Sequence, residues 1–329
     1  MSTKQKILTL LKKYRGKSIS GEEIAKSLNI SRTAVWKAVN ALKNDGHDIS
    51  SAISRGYAIS DTDNILSTAA MLPYLRDQSL EPQIHIHKSL ESTNKTAKEM
   101  ALAGCEHGTV VIADTQTAGK GRYDRSFYSP PESGLYMSIV LKPKSLNMAD
   151  ATLVTAAAAV SVCKSIQLVT GKETKIKWIN DILYNDKKVC GILTEAVANI
   201  ESGNIDWIIV GIGINVTTES FPKEIENTAT SLFTDEISNR ARIRLASEII
   251  NVFLSSYGWI CDEKICQEYK NRSVLLDKTV IVTEQNESYE AIVLDIDERC
   301  RLVVEKPGGI IKVLSSGEVS LKTKRLVLC

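Results

Sequence analysis

The chain has 329 residues, 43% of them hydrophobic and 24% charged, and its formal net charge at pH 7 is +2. This composition predicts a soluble protein of two or three domains rather than a fibrous or membrane protein, because no stretch approaches the roughly 20 apolar residues of a membrane span. The seven cysteines are scattered and include no C-x-x-C pair, which disfavours a structural zinc site or a disulfide framework and favours a reducing cytoplasm.

The amino-terminal segment is much more basic than the rest of the chain. Residues 1–60 carry eleven Lys or Arg against four Asp or Glu, a formal charge of +7, whereas the remainder carries −5. A basic module on a mildly acidic body predicts that only this segment meets a polyanion. We assign residues 1–62 to it, with a linker near residues 61–66.

Three helices and a hairpin are predicted within this segment. Ser20 and Ser31 are expected to cap two helices that a turn at Asn29 separates, and residues 48–60 alternate as a β-hairpin does. This order predicts a winged helix-turn-helix whose second helix reads base edges. The predicted DNA contacts are Ser31, Arg32, Thr33, Trp36, Lys37 and, on the wing, Arg55.

Two alternatives stay open for this module. A three-helix protein-interaction module with a solvated basic face fits the same pattern, and Trp36 fits a core position as well as a base contact. If the module binds DNA, we expect a homodimer, because one small winged module rarely supplies enough specific affinity alone.

The body, residues 66–274, mixes short β-rich apolar runs with helical stretches. The predicted strands are 84–87, 109–113, 135–141, 176–179, 189–197 and 207–216. Helices are expected from Asn94 to Ala103, from Asp150 as N-cap to Gly171, and around residues 243–257. Because several strands follow one another without a helix between them, the pattern predicts a mixed α/β domain on a largely antiparallel sheet. Residues 275–329 read as a small closing β-barrel with Gly308-Gly309 and Ser316-Gly317 turns.

One loop of the body combines glycines with cations. The segment 113–130, ADTQTAGKGRYDRSFYSP, follows an apolar run and places Gly119 and Gly121 among Lys120, Arg122 and Arg125. Glycine lets a backbone approach a ligand closely, and arginine presents a fork of donors that suits carboxylate and phosphate oxygens. The segment therefore predicts a loop that closes over an anion.

Four more patches place polar residues or glycines where a buried strand would not need them. They are STN (92–94), KWIND (177–181), GILTE (191–195) and GIGINV (211–216). Alternation over 175–180 predicts Lys175, Lys177 and Ile179 on one face of a strand and Asn180 on the other. Glycines inside strands indicate close approach of a ligand or of another backbone.

These patches, in this order, resemble the biotin–protein ligases, and the closest likeness is the bifunctional bacterial ligase and biotin-operon repressor. The winged helix and SGEVSL (316–321) extend the resemblance over nearly the whole chain. The resemblance implies an α+β protein with a winged helix-turn-helix, a ligase domain like the class II synthetases and an SH3-like barrel. It also implies two reactions: biotin and MgATP form biotinyl-5′-adenylate, and the biotinyl group then passes to a lysine of a biotin carboxyl carrier protein.

The resemblance assigns roles residue by residue. Lys177 and Arg122 are the implied catalytic residues, and dimerisation on binding biotinyl-5′-adenylate is the implied route to repression at an operator. The implied biotin contacts are Ser92, Thr93, Asn94, Gln116, Gly119, Lys120, Gly121, Arg122, Lys177, Gly191 and Gly213. The implied ATP contacts are Arg122, Arg125, Phe127, Asn180 and Asn215. Mg²⁺ is expected on phosphates and waters, with no dedicated protein metal site.

The loop departs from the common family pattern GRGRRGR. Lys120 replaces the first Arg, Tyr123-Asp124 replaces Arg-Gly, and Phe127 stands where Trp is usual. These changes predict a less cationic and less flexible loop. Arg299-Cys300 also replaces the usual glycine before Arg301-Leu302. Two other functions remain: a biotin-sensing transcription factor that has lost catalysis, and a lipoate-type acyl ligase on the same fold.

Overall fold

The computed structural model describes residues 2–52, 56–60, 65–143, 150–198, 205–233, 240–256, 263–284 and 287–321. Along the chain lie a small helical module with a hairpin, a mixed α/β body on a seven-stranded sheet, and a five-stranded antiparallel sheet. The order and class of these parts are those expected from the sequence.

The amino-terminal module is a winged helix-turn-helix. Its elements are α1 (Thr3–Lys13), α2 (Gly21–Leu28), α3 (Arg32–Asn44), β1 (Ile49–Ala52) and β2 (Gly56–Ile59). Ser20 forms a capping box with Glu23, and the Ser31 hydroxyl accepts a hydrogen bond from Ala34 N–H, so both predicted caps are present. Gly56 is required at the start of β2, because an added Cβ would lie 2.1 Å from the Ile19 carbonyl oxygen.

The short helix α4 (Thr68–Met71) lies between the module and the body. Ala69 is buried in the hydrophobic core of the winged module, whereas Ala70 and Met71 are buried in the core of the body. The Lys12 ammonium donates to Ser67 Oγ, the N-cap of α4, at 3.3 Å. One turn of helix therefore contributes side chains to two cores.

The central sheet has the order β3-β4-β5-β9-β8-β7-β6. Its strands are β3 (Ile84–Leu90), β4 (Val110–Gln116), β5 (Gly134–Leu141), β6 (Lys175–Lys177), β7 (Asp181–Tyr184), β8 (Lys187–Ala198) and β9 (Ile205–Asn215). Only β3 and β4 run parallel, joined by helix α5 (Thr93–Leu102), and every other pair is antiparallel. Asn185 and Asp186, both with positive φ, form the predicted hairpin turn between β7 and β8.

The two faces of the sheet are covered differently. One face packs on α6 (Ala151–Thr170), α7 (Ala241–Ser256) and α8 (Glu263–Asn271), which share the main core with it. On the other face, α5 is the helix that the described residues place, and it packs on Val111, Val140, Trp207 and Ile209. The part of this second face that α5 leaves uncovered is where a site can form.

Helix α6 corrects one expectation from the sequence. Among the described residues, Thr152–Thr170 is long and apolar enough to cross a membrane by length and composition, although 72% of its most apolar window is buried inside the protein. Its neighbours are the sheet and two helices, as in the core helix of a globular domain. Asp150 precedes the helix without capping it, because its carboxylate accepts a hydrogen bond from Arg299.

The last five strands form an antiparallel sheet of order β13-β12-β11-β10-β14. They are β10 (Thr279–Glu284), β11 (Glu287–Ile296), β12 (Leu302–Lys306), β13 (Ile310–Leu314) and β14 (Glu318–Leu321). Its inner residues, such as Val280 and Val304, belong to the same core cluster as the body. The carboxy-terminal sheet and the body therefore share one hydrophobic core.

One cysteine pair is bonded, although the scattered cysteines disfavoured a disulfide framework. Cys266 on α8 is bonded to Cys300 between β11 and β12, with their Cα atoms 5.4 Å apart. Sequence spacing alone could not pair two cysteines 34 residues apart. Cys300 takes a left-handed conformation, φ 57°, at the place where the family pattern has glycine.

Candidate active site

A cavity of about 520 Å³ opens on the face of the central sheet that α5 only partly covers. Its wall includes the amino terminus of α5, the loop after β4, the turn after β6, and the start of β14. Thirteen of the fifteen residues predicted to contact biotin or ATP line it: Ser92, Thr93, Asn94, Gln116, Lys120, Gly121, Arg122, Arg125, Phe127, Lys177, Asn180, Gly191 and Gly213.

The two predicted residues that do not line the cavity are Gly119 and Asn215. Gly119 brings the loop close to its support, since an added Cβ would lie 2.7 Å from Phe127 O and 2.9 Å from Gln116 Nε2. The Asn215 side chain is buried and donates to the Thr230 carbonyl at 3.1 Å, so it holds a neighbouring segment rather than facing the cavity.

One row of the sheet forms the floor beneath Asn94. Ser138 on β5, Gly211 on β9 and Leu193 on β8 are direct cross-strand neighbours. Asn94 lies on this row: its Oδ1 accepts from Ser138 Oγ at 2.6 Å, and its Nδ2 donates to Leu193 O at 3.2 Å. A Cβ on Gly211 would lie 2.2 Å from Asn94 Oδ1, so this glycine makes room for a side chain of the protein.

The next row of the sheet forms the floor beneath Phe127. Tyr136, Gly213 and Gly191 are cross-strand neighbours on β5, β9 and β8. The Phe127 ring lies on the two glycines, because a Cβ would be 2.5 Å from it at Gly213 and 3.3 Å at Gly191. Its edge meets the Tyr136 ring, with centroids 6.4 Å apart. Burial raises the pKa of Tyr136, so its hydroxyl stays protonated and donates to Pro130 O at 3.0 Å.

Gln116 connects the amino terminus of α5 to the loop. Its Oε1 accepts from the Thr93 N–H at 2.8 Å and lies 3.1 Å from the Thr93 hydroxyl, while its Nε2 donates to Ser129 Oγ at 3.0 Å. Ser129 was absent from the sequence-based set, although it is buried and fixes the orientation of the Gln116 amide. The two predicted residues Thr93 and Gln116 are thus held together.

The cationic loop is attached to the carboxy-terminal sheet. Arg122 donates to Gly317 O at 3.1 Å and lies over the Tyr123 ring at 4.9 Å, and Arg125 forms an ion pair with Glu318. Lys120 pairs with Asp124 at 3.2 Å within the loop. Tyr123 and Asp124 both have positive φ, 55° and 54°, where the family pattern places a glycine only at the second position. All three loop cations therefore have partners that an incoming anion must replace.

Lys177 and Asn180 enter the cavity from the same turn, which corrects the prediction that they lie on opposite faces. Strand β6 ends at Lys177 and a turn follows over residues 178–180, so the two-residue alternation stops there. The Asn180 amide donates to Ile192 O at 2.8 Å. The turn is held from behind by Tyr269, whose hydroxyl donates to Ile179 O at 2.9 Å, and by the Trp178 indole, which donates to Cys300 O at 3.0 Å.

The sequence reasoning missed an ion pair in the cavity wall. Lys188 and Asp181 both line the cavity and pair at 2.6 Å. The Lys188 ammonium lies near Gly191, where an added Cβ would be 3.1 Å from it. The predicted hairpin gave no direct signal for this pair, because the register places Asp181 opposite Gly191 and Lys188 opposite Leu183. The long Lys188 side chain reaches Asp181 diagonally across the two strands.

The winged module exposes one side of α3, the second helix of its helix-turn-helix, to solvent. Ser31, Arg32, Thr33, Trp36 and Lys37 are all exposed, whereas Val35, Ala38, Val39 and Leu42 form the buried side of α3. Trp36 is 57% exposed, so it is no core residue. Arg55 lies outside the described residues, and its place on the wing stays a prediction.

Comparison with known proteins gives the family. The chain is 32% identical to the bifunctional ligase/repressor BirA of Bacillus subtilis, over 94% of this chain and 96% of that protein. It is 25% identical to the Escherichia coli protein of the same name, over 97% of both chains. The chain belongs to the biotin–protein ligase family.

Family profiles and solved structures agree with this assignment. The Biotin/lipoate A/B protein ligase family matches residues 86–215, an HTH domain matches 3–58, and the Biotin protein ligase C terminal domain matches 275–322. The biotin protein ligase of Aquifex aeolicus in complex with biotin and ATP superposes with a TM-score of 0.61 and 27% identity, covering 73% of this chain and 98% of that one. The residues that line the cavity fall mainly within the first profile. Ile225, Asn227 and Thr228 lie beyond its end, and the residues from Gly317 to Leu321 lie within the third profile.

Proposed function

We propose that this chain is an ATP-dependent biotin–protein ligase and a biotin-responsive transcriptional repressor. The observation that carries the proposal is the cavity, in which a polar end built from Thr93, Asn94 and Gln116 is joined to a cationic end with Arg122 and Lys177. The exposed recognition helix of the winged module supports the second activity. Bifunctional relatives that match over nearly the whole chain support both together.

The polar end suits the ureido ring of biotin. Ser92, Thr93, Asn94 and Gln116 are proposed to bind the ring, because they supply hydroxyl and amide groups at the amino terminus of α5. The backbone of residues 119–121 is proposed to cover it, and Lys120 belongs to this covering segment. Gly191 and Gly213 keep the floor free of side chains, and the Phe127 ring lies in the space above them. A flat ligand can share this space with the ring or displace the ring from it.

The cationic end suits the biotin carboxylate and the phosphates of ATP. In the first reaction a carboxylate oxygen attacks the α-phosphate, a new C–O–P bond forms, and pyrophosphate leaves with the electron pair of the broken P–O bond. Two anions must approach each other, so positive charge and positioning supply most of the catalysis. We assign Lys177 to the space between carboxylate and α-phosphate, Arg122 and Arg125 to phosphate oxygens, Phe127 to the adenine, and Asn180 to the ATP side.

Mg²⁺ is proposed to enter with ATP. Among the carboxylates that line the cavity, Asp181 is paired with Lys188 and Glu318 with Arg125, and Asp186 lies in the turn between β7 and β8. Within the described part of the chain no cluster of three His, Cys, Asp or Glu side chains is arranged to hold a metal ion. This donor set fits a magnesium ion bound mainly by phosphates and waters, which neutralises charge on the phosphate oxygens.

The second reaction needs no nucleophile from the enzyme. The amine of a carrier lysine attacks the carbonyl of the mixed anhydride, the amide forms, and AMP leaves. Burial raises the pKa of Cys163 to about 11 and that of Cys190 well above the ordinary value, so neither thiol is a thiolate at neutral pH. A biotin carboxyl carrier protein is the proposed acceptor, and the cytoplasm is the proposed location.

Repression is assigned to the winged module. Arg32, Thr33, Trp36 and Lys37 are proposed to reach base edges and phosphates, Ser31 to begin the helix at the groove, and Arg55 to follow the backbone from the wing. We propose that biotinyl-5′-adenylate promotes a homodimer that binds the operator. The proposed domains are the winged helix-turn-helix, residues 1–62, the biotin- and ATP-binding ligase domain, residues 66–274, and the carboxy-terminal barrel domain, residues 275–329.

The first experiment measures biotin-dependent release of pyrophosphate from MgATP, with lipoate as the matched control substrate. Release with biotin alone, followed by a biotin-sized mass gain on an added carrier domain, is the expected result. Release of pyrophosphate with lipoate would identify a lipoate-type acyl ligase. Biotin binding without release would identify a sensor that has lost catalysis, and either result would overturn the proposal.

A further inference from the structure

A chain of hydrogen bonds behind the cavity wall begins at Glu195, which does not itself line the cavity. The Glu195 carboxylate accepts from Asn94 Nδ2 at 2.6 Å, and the Leu193 carbonyl accepts from the same nitrogen at 3.2 Å. A carboxylate and a carbonyl have no hydrogen to give, so the Asn94 amide must turn its NH₂ group to them. Both amide hydrogens are thereby used, and Oδ1 is turned to Ser138.

Ser138 passes this orientation on to Thr93. Its side chain is fully buried, and its Oγ lies 2.6 Å from Asn94 Oδ1 and 2.8 Å from Thr93 Oγ1. The single hydroxyl hydrogen of Ser138 must go to Asn94, because Oδ1 can only accept. The Thr93 hydroxyl then gives its own hydrogen to Ser138 Oγ or to Gln116 Oε1, which lies 3.1 Å away.

As a result, Asn94 and Thr93 present acceptors to this part of the cavity. With their hydrogens directed into the protein, Asn94 Oδ1 and Thr93 Oγ1 turn lone pairs toward the cavity. A ring with N–H groups is matched to such a wall, whereas a ring without donors leaves these oxygens unpaired, which is costly in a dry site. The dithiolane ring of lipoate has no such donor.

We propose that Glu195 determines specificity for a ring with N–H donors by fixing the acceptor orientation of Asn94, and through Ser138 that of Thr93. Glu195 is a positioning residue here, since it acts through the two residues that face the ligand. The inference rests on the proposed function for the nature of the ligand.

The sheet gives this arrangement its rigidity. Ser138, Gly211 and Leu193 form one cross-strand row under Asn94, and the absence of a side chain at Gly211 is what lets the amide lie there. Glu195 follows Leu193 with the same parity on β8, so both groups that hold the amide belong to one strand face. Thr194 points to the opposite face, where it contacts the Thr155 hydroxyl at 2.8 Å.

The test compares Glu195→Leu, Ser138→Ala and Glu195→Gln, with Thr194→Val as the matched control on the other face of β8. Each variant is titrated with biotin without ATP, and with carbamate analogues in which a ring N–H is replaced by oxygen. The wild-type protein is expected to prefer biotin by about 100-fold, since an oxygen would face an acceptor. Thermal unfolding confirms that each variant is folded.

Glu195→Leu and Ser138→Ala are expected to weaken biotin binding about tenfold and to reduce the preference over the analogues below about tenfold. Their kcat for pyrophosphate release at saturating biotin is expected to stay within about twofold, because the reacting atoms are untouched. Glu195→Gln, which keeps an acceptor for the amide, and Thr194→Val are expected to resemble the wild type.

Three outcomes distinguish a failure of this inference from a failure of the proposed function. A folded Glu195→Leu variant that keeps full preference for biotin would overturn the role of Glu195 while leaving the ligase intact. Loss of kcat without loss of biotin affinity would overturn it too, because the residue would then act on chemistry. A wild-type protein that does not bind biotin would refute the proposed function itself.

Discussion

At the scale of single residues, Lys177 differs from three of the other cations of the cavity, and the remaining one, Arg122, is held by the Gly317 carbonyl. Lys120, Arg125 and Lys188 each have a carboxylate partner, whereas the ion pairs found in the described residues include none to Lys177. A phosphate that meets Lys120, Arg125 or Lys188 must displace that partner, and a phosphate that meets Lys177 need not. Lys177 is therefore the cation best placed to act on charge that develops during the first reaction.

Replacing Lys177 by alanine is expected to lower the rate of adenylate formation by about 10³-fold or more, because a developing negative charge loses its cation. Lys175→Ala is the matched control, since Lys175 is exposed on the same strand and does not line the cavity. Pyrophosphate release at saturating biotin measures the effect. A rate within tenfold of the wild type would remove Lys177 from the catalytic role.

The sequence predicted the residues that face the cavity better than those that hold them. Thr93, Asn94 and Gln116 stand in recognisable patches, and all line the wall. Ser138 is the only polar residue in the run 135–141, which is a usable signal, but its partner is 44 residues away in sequence. Such a contact depends on strand register, and one sequence does not give the register between β5, β9 and β8.

At the scale of elements, the loop of residues 119–125 and strand β14 act as one unit. Arg122 and Arg125 hold Gly317 and Glu318, so the loop rests against the carboxy-terminal sheet over the cavity. The sequence suggested a loop that closes over an anion. It could not show that the carboxy-terminal sheet supplies a carboxylate to the same arginine, because that contact spans 193 residues.

Glu318→Gln is expected to lower the KM for ATP by up to about fivefold, because Arg125 then needs no exchange of partners and an exposed ion pair contributes about 0.2–1 kcal/mol. Steady-state kinetics at low salt measure it, with Glu287→Gln as an exposed control on the same sheet. The difference is expected to shrink at high salt. An increased KM would mean that the ion pair holds the loop in its binding position.

Helix α3 carries the clearest separation between the two activities. Its buried side builds the module, and its exposed side holds Trp36 and the neighbouring polar residues. Both N-caps and the wing were predicted because capping and turn signals are local. Whether Trp36 was buried could not be predicted, because the position of one large residue depends on how three helices pack.

Trp36→Ala is expected to weaken operator binding by about tenfold or more while ligase activity stays unchanged, since the side chain is exposed and far along the chain from the cavity. Lys37→Ala is expected to weaken binding to all DNA sequences similarly and to reduce the salt dependence. Fluorescence anisotropy over a salt series measures both. A fall in melting temperature for Trp36→Ala would show a packing role instead.

At the scale of the whole molecule, several contacts hold the carboxy-terminal sheet against the body. Besides the disulfide between Cys266 and Cys300, Arg299 pairs with Asp150, and the Thr152 hydroxyl donates to Ser315 O at 3.2 Å. Trp178 directly follows Lys177 in the chain, and its indole N–H donates to the Cys300 carbonyl. The position of the turn after Lys177 therefore depends on how the carboxy-terminal sheet packs against the body.

Reduction of the disulfide is expected to lower the free energy of unfolding by about 2–4 kcal/mol, because the unfolded chain regains the freedom that the cross-link removes. Thermal unfolding with and without a reducing agent measures the change, and a Cys266→Ser variant should be insensitive to the agent. A wild-type transition that the agent does not move would show that the pair is reduced in solution.

Helix α4 contributes side chains to the core of the winged module and to the core of the body, which provides a packing path between the two parts. If biotinyl-5′-adenylate raises the affinity for operator DNA by some factor, thermodynamic linkage requires that operator DNA raise the affinity for the adenylate by the same factor. We expect a factor of about 5–150, which corresponds to 1–3 kcal/mol of coupling.

The experiment measures the dissociation constant of the adenylate with and without operator DNA, and the dissociation constant of the DNA with and without adenylate. The two ratios should be equal. A factor of one in both directions would leave a ligase whose winged module binds DNA without regard to biotin.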